Sequence, residues 1–312
     1  MKDYYKELEK SGYARSAILR RHTGDPAIMG YQGSNVIMIA CRKLRKAMRY
    51  HRIMRDHKFY IAHLAVVTNF DCNLNCNGCG QHTPIIKRIP EEYKQIDIEQ
   101  ICCDLDKISA AVDGIGGMAM ANGEGFLNKN IGEMIEYYAG NDKILNMNIP
   151  TNGSIIPTSD VLEKMSKNRV SATITKYNAV PEEQRQKLIG LFKEYGIAYA
   201  LFEDRKWYLH EYLPEEKSSE KEAYEKYKSC DKFFMLLQGR LWKCETDATR
   251  VLAGIRQEAE GDSICVKHAT VEEVRNFLWE KSHLPHIESC RHCRGSKGSL
   301  VKEIPAGEQI VN

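Results

Sequence analysis

The stretch "TNFDCNLNCNGCGQHTPI", residues 68–85, sets Cys72, Cys76 and Cys79 inside eight residues at the spacing C-x3-C-x2-C. Three thiolates are one short of a closed tetrahedral metal site. Either a fourth ligand comes from elsewhere or the open position is the purpose of the site. His82, three residues past Cys79, is a candidate fourth ligand for zinc, although zinc sites usually pair C-x2-C or Cys/His units at other spacings. Structural cysteines rarely crowd into a loop rich in Asn and Gly, whereas iron–sulfur clusters are held by thiolates in short loops of this kind. A four-iron cluster held by three cysteines leaves one iron open to an outside ligand.

Composition narrows the setting. The 312 residues, 43% hydrophobic and 28% charged, suffice for one large domain or two unequal ones. The longest apolar runs, such as "NVIMIAC" and "AHLAVV", are too short to span a bilayer. The opening "MKDYYKELEK" has no secretory pattern. A cytoplasmic protein without membrane contact is expected, with reduced thiols, so the 11 cysteines point to metal or redox chemistry rather than disulfides. Net charge is +3, but residues 1–60 hold 14 Lys/Arg against 5 Asp/Glu, a net of +9 that leaves −6 for the rest. The basic "CRKLRKAMRYHRIMRDHK" is either a solvated helix face or a meeting point for an anionic ligand or partner.

Residues 1–58 read as a basic helical extension, with "SNVIMIACRKLRKAMRYHRIM" its clearest helix and Ser34 or Asn35 as N-cap. From residue 60, short apolar runs alternate with amphipathic stretches. Strands are expected at 60–68, 115–121, 144–150, 170–176 and 197–203, and helices at 96–112, 130–139, 159–167 and 181–195. This order implies a parallel sheet with right-handed crossovers and a ligand site at the carboxyl ends of its strands. The cysteine triplet directly follows the first strand, at that end. The charged stretch 211–229 reads as a linker or connecting helix. Beyond it, "FFMLLQGRLWKC" reads as a hairpin turning at Gln238-Gly239, followed by helices near 249–258 and 271–281.

The triplet in its strand context resembles the radical S-adenosylmethionine (SAM) superfamily over about residues 60–205. The resemblance implies an α/β fold, a partial (β/α)6 barrel over 59–210 between the 1–58 extension and a cysteine-rich module at 230–312. It also implies that Cys72, Cys76 and Cys79 hold a 4Fe-4S cluster whose open iron binds SAM. Reductive cleavage of SAM then gives methionine and a 5′-deoxyadenosyl radical that takes a hydrogen atom from substrate. Gly78 stands where the family often has an aromatic. "ANGEGF" aligns with the family's Gly-Gly-Glu-Pro turn, so that Asn122, Gly123 and Glu124 would contact the SAM amino group, with Asn122 and Gly125 replacing Gly and Pro. A carboxylate suits an ammonium group. Thr151 and Asn152 of "IPTNG" and Thr175 and Lys176 of "TITKY" resemble positions that read SAM or substrate; as bare motifs these are also ordinary turns and strand ends.

Cys230, Cys244, Cys290 and Cys293 follow the spacing C-x13-C-x45-C-x2-C. As a closed four-thiolate set they suit zinc or an iron–sulfur cluster. After a radical SAM core they resemble the Twitch module, the short relative of SPASM domains, which carries one auxiliary 4Fe-4S cluster. Fully ligated, such a cluster cannot bind substrate but can accept an electron. The arrangement is similar to that of radical SAM aminocyclitol dehydrogenases, and it implies oxidation of an alcohol. Epimerisation is the rival: it needs a thiol to return a hydrogen atom, for which Cys265 is the nominee. Cys41, Cys102 and Cys103 fall in expected helices and read as buried small apolar residues.

The expected partners are a small-molecule substrate (a sugar, aminocyclitol or nucleotide-linked sugar) and a reductase or ferredoxin/flavodoxin-type electron donor. A ribosomal peptide is the alternative substrate. Two other classes stay open: a zinc-stabilised nucleic-acid binder, disfavoured by the balanced overall charge, and a structural iron–sulfur or partner-binding scaffold.

Overall fold

A computed structural model describes residues 59–203, 207–209, 211–230, 233–295 and 302–310, together with Leu44 and Met48. Those two are helical and exposed, and the rest of the expected N-terminal extension, with Cys41, lies outside the described residues. In chain order the elements are β1 (Tyr60–Val67), α1 (Thr83–Ile86), α2 (Ile98–Ala111), β2 (Gly114–Ala121), α3 (Ile131–Gly140), β3 (Met147–Thr151), α4 (Ser159–Asn168), β4 (Ser171–Thr175), α5 (Glu182–Glu194), β5 (Tyr199–Phe202), β6 (Trp207–Tyr208), α6 (Glu220–Ser229), β7 (Phe234–Leu237), β8 (Arg240–Trp242), α7 (Glu245–Leu252), β9 (Ser263–Cys265), α8 (Val271–His283) and β10 (Glu303–Ile304).

Eight strands form one sheet in the order β5-β4-β3-β2-β1-β7-β8-β9. β1 to β5 pair parallel in succession, and β7 pairs parallel with β1. The expected α/β fold with a mostly parallel sheet, consistent with a partial barrel, is therefore present, but only five of its parallel strands fall within 59–210: the sixth, β7, comes from the region read as the cysteine-rich module and lies beside the first. The expected hairpin forms at β7–β8, with Gln238 at φ 48° and Gly239 at φ 74°. Two positive φ values give the turn that matches strand twist. The hairpin and β9 thus extend the main sheet, so the cysteine-rich region is joined to the barrel by hydrogen bonds.

Alternation along each strand decides what it touches. Leu64 and Val66 of β1 join the main core with Met118 and Met120 of β2, Ile149 of β3 and Ile174 of β4, under helices α2 to α5 and α8. Ala65 and Val67 point the other way into a second cluster with Phe70, Ile86, Met235 and Trp242. A parallel strand buried on both faces reads as a continuous apolar run, as "AHLAVV" does. The third strand is shorter than expected: Ile144 makes only an isolated bridge to Ile115 before regular pairing starts at Met147.

Two expectations need correction. Cys103 is exposed and Cys102 half-buried, because α2 turns Ile101, Leu105 and Ile108 to the core and residue 103 falls on the opposite face. The helix expected near 249–258 runs instead over Glu245–Leu252, directly after Cys244, with Glu245 and Asp247 in its first turn and Arg250 in its last, the order its dipole favours.

Leu105 is fully buried at the centre of the main cluster. Leu105→Ala should cost about 2–5 kcal/mol of stability, read as a lowered midpoint in denaturant unfolding.

Candidate metal and cofactor sites

The loop after β1 is set by side-chain to backbone bonds. Asn69 accepts the Asp71 N–H at 2.8 Å and donates to the carbonyls of Asp71 and Glu124, each at 3.0 Å. The Asp71 carbonyl also accepts the Glu124 N–H at 2.7 Å. These bonds hold the triplet loop against the turn after β2. Cys72, Cys76 and Cys79 then meet in one small apolar nest with Leu74, Val180, Tyr177 and Trp207. Burial pushes the Cys72 thiol up to about 11, and raises that of Cys76. Loading a metal there has to expel protons. Lys87 brings a cation to the loop: its Nζ donates to the carbonyls of Cys72 and Leu74, each at 3.0 Å.

The turn after β2 is shaped by Asn122 and Gly123, at φ 65° and 63°. A Cβ on Gly123 would lie 2.3 Å from the Asp71 carbonyl oxygen, so the close approach of the two loops requires glycine. Glu124 is 1% exposed. Its carboxylate accepts from Thr151 Oγ1 at 2.5 Å and from the N–H groups of Asn152 at 2.7 Å and Phe126 at 3.2 Å. Burial raises its pKa, and these three bonds act in the opposite direction. Glu124 thus ties the end of β3 to the turn. Asn152 in turn donates to Asn73 Oδ1 at 3.0 Å, which returns the chain of contacts to the triplet loop. The buried Asn122 Nδ2 has no hydrogen-bond partner, and such a donor suits an acceptor on a bound ligand. Thr175 is buried at the end of β4. Half-buried Lys176, next in sequence, donates its N–H to the Phe202 carbonyl at 2.9 Å.

Cys230, Cys244, Cys290 and Cys293 line one cavity of about 40 Å³, together with Lys226, Thr246 and Arg250. That volume is about three times what one water needs. Burial pushes the Cys290 thiol up to about 12. The guanidinium of Arg250, 1% exposed, donates to Cys293 Sγ at 3.3 Å, and the Gly295 N–H reaches the same sulfur at 3.3 Å. Thr246 Oγ1 is buried beside the cavity without a hydrogen-bond partner. Four thiols, a cation and a spare hydroxyl fit a sulfur-rich anionic guest. A buried clasp of Arg256 with Asp247 and Asp262 braces α7, which carries Thr246 and Arg250.

Cys265 lies apart from both groups, on edge strand β9 opposite Arg240. His82 has its Nδ1 2.9 Å from Thr249 Oγ1 of α7. Among the described residues no three His, Cys, Asp or Glu side chains converge where a single metal ion could sit; a four-iron cluster, larger than one ion, spaces its thiolates more widely. Lys87, Thr246 and Arg250 are among the functional candidates that sequence reading missed. Only Lys87, one helix beyond the triplet, lay close enough in sequence to be suspected.

No family model and no curated protein matches the sequence. Among solved structures, BtrN in complex with AdoMet and 2-DOIA is similar at 16% identity and TM-score 0.47, over 74% of this chain and 92% of that one. Native anSMEcpe with bound AdoMet is similar at 17% identity and TM-score 0.34, over 45% of this chain and 43% of that one. SuiB of Streptococcus suis bound to S-adenosylmethionine is similar at 14% and 0.38, over 51% and 37%. The chain therefore spans less than half the length of the last two. At such identities and TM-scores function has to come from the chain's own residues. No helix among the described residues is long and apolar enough to cross a membrane.

Gly123→Ala should push the two loops apart and lower stability by about 1–3 kcal/mol, the usual cost of a strained backbone position. Calorimetry or denaturant unfolding checks it, and a variant as stable as the parent would disprove the close-approach argument.

Proposed function

We propose that this chain is a radical SAM enzyme that oxidises an alcohol on a carbohydrate-like substrate. Cys72, Cys76 and Cys79 hold the 4Fe-4S cluster that binds SAM, and Cys230, Cys244, Cys290 and Cys293 hold an auxiliary 4Fe-4S cluster. One observation carries the reading: Cys230, Cys244, Cys290 and Cys293, remote from one another in sequence, line one cavity, while Cys72, Cys76 and Cys79 pack in one nest. When bound, the first cluster and SAM supply hydrogen-atom abstraction, and the second cluster supplies an electron acceptor.

The chain's own residues set the conditions. Asn69, Gly123 and Glu124 fix the two loops that would flank SAM, with Asn122 Nδ2 as a waiting donor. Asn152, Thr175 and Lys176 stand at the ends of the next two strands, where the SAM sugar or the substrate would be read. Ala172 and Ile174 belong to the main core, so Ser171, Thr173 and Thr175 share the opposite face of β4. Asn148 of β3 joins them by donating to Ser171 Oγ at 3.1 Å, while Thr173 Oγ1 is buried without a hydrogen-bond partner. A run of hydroxyl and amide groups suits a polyhydroxy substrate, whose removal from water requires such partners. A cytoplasmic reductase or ferredoxin/flavodoxin-type donor would deliver the electron for SAM cleavage.

Oxidation is favoured over epimerisation by placement. The auxiliary cysteines line a built cavity, whereas Cys265, the hydrogen donor an epimerase would need, lies on edge strand β9.

Anaerobically purified protein should be brown and hold about eight irons and eight sulfides, as two such clusters require; joint Cys72→Ala, Cys76→Ala and Cys79→Ala should remove about half. A colourless protein holding one or two zinc ions would refute the reading. With a reductant the native protein should release 5′-deoxyadenosine from SAM. Joint Cys290→Ala and Cys293→Ala should keep some SAM cleavage and lose the oxidised product. One solvent deuterium in a product otherwise of substrate mass, abolished by Cys265→Ala, would establish epimerisation instead.

A further inference from the structure

Residues 302–310 lie far along the chain from the triplet but are bonded onto it. β10 pairs antiparallel with β6, Glu303 opposite Tyr208 and Ile304 opposite Trp207. The segment then runs antiparallel to the triplet loop, with an isolated bridge between Cys76 and Gln309. The Asn77 N–H donates to the Glu308 carbonyl at 2.6 Å, and the Ile310 N–H donates to the Asn75 carbonyl at 2.8 Å. Between these bonds the Gln309 side chain works at both ends. Its Oε1 accepts the Asn75 N–H at 2.7 Å, and its Nε2 donates to the Gly307 carbonyl at 2.7 Å and to Cys76 Sγ at 3.3 Å.

Packing fastens the same segment. Gly78 stands at φ 63°, in the left-handed region that favours glycine, and Ile304 packs against it: a Cβ there would lie 2.3 Å from Ile304 Cδ1. Gly307 sits against Tyr177 so closely that a Cβ would lie 2.5 Å from its ring. Tyr177 belongs to the nest that holds the cysteines.

We propose that residues 302–310 form a strap that closes the triplet loop, and that Gln309 is a positioning residue that orients the Cys76 sulfur and donates a hydrogen bond to it. The assignment of that sulfur as a cluster ligand rests on the radical SAM reading above; the strap itself does not. An N–H donor on a cluster thiolate raises the potential of the cluster, because hydrogen bonds to the sulfurs are one of the levers that set it. A loop paired on its outer edge also keeps Cys76, now 7% exposed, away from water and oxidants.

Three full-length variants test this. Gln309→Leu removes all three side-chain bonds, Gln309→Glu keeps an oxygen for the Asn75 N–H but loses the donor to the Cys76 sulfur and the Gly307 carbonyl, and Gly307→Val pushes the strap off Tyr177. In metal-free protein, Gln309→Leu should speed hydrogen exchange at Asn75 and iodoacetamide labelling of Cys76, mapped by mass spectrometry, by about two- to tenfold, the worth of one or two hydrogen bonds. Gln309→Glu should leave Asn75 exchange near the parent value, and Gly307→Val should speed exchange at both Asn75 and Asn77. In reconstituted protein, both Gln309 variants should shift the midpoint potential of the triplet cluster to more negative values and bleach faster in air. Unchanged exchange and labelling in Gln309→Leu and Gly307→Val, with circular dichroism like the parent's, would overturn the strap. Normal iron content with an unmoved potential in both Gln309 variants would overturn the role of Gln309 alone. A native protein that takes no iron at the triplet would refute the radical SAM reading, while exchange and labelling would still decide the strap.

Discussion

The buried carboxylate of Glu124 is the joint on which the site depends. Its oxygens take donors from Thr151, Asn152 and Phe126, while its backbone bonds to Asp71 and its carbonyl to Asn69. One residue therefore ties the ends of β1, β2 and β3. Burying an acid is costly unless its oxygens are satisfied, and here the donors come from two different loops. Separating those loops would strand the carboxylate, so their relative position is held by the cost of leaving it unpaired.

The same logic recurs at the second cysteine set with the sign of the charge reversed. Arg250, buried beside four thiols, is sustained by Cys293 and the neighbouring acid Asp247. Lys87 plays a milder version at the triplet, placing its ammonium on loop carbonyls. Both cysteine groups thus meet a positive charge from a helix that follows them or lines their cavity, which suits sites where thiolates gather.

Much of this was legible in the residues. The five parallel strands and their helices follow from apolar runs and amphipathic periods, and the hairpin from Gln238-Gly239. Both cysteine groups were visible as spacings, since ligands to one group must fall in short loops or in loops brought together by a hairpin. What escaped has a common cause, distance along the chain. Nothing in "FMLL" says that β7 will pair with β1, and nothing in "GEQI" marks Gln309 as a partner of Cys76. Arg250 in "DATR" looks like any helical arginine. Cys103 differs for another reason: its phase on the helix faces away from the core, so a small apolar side chain there stays exposed.

The pairing of β1 with β7 has a consequence for how the protein comes into being. β1 is a central strand, and its second neighbour begins only at Phe234, paired through Leu64. The loop that follows β1 is bonded to a glutamine 233 residues further on. Contacts this remote in sequence form late, because chain closure must precede any gain from them. During synthesis the triplet would leave the ribosome long before the strand and segment that flank it exist. Its thiols would spend that interval uncovered, and a nascent fragment ending before β7 would present open cysteines to any oxidant or stray ion.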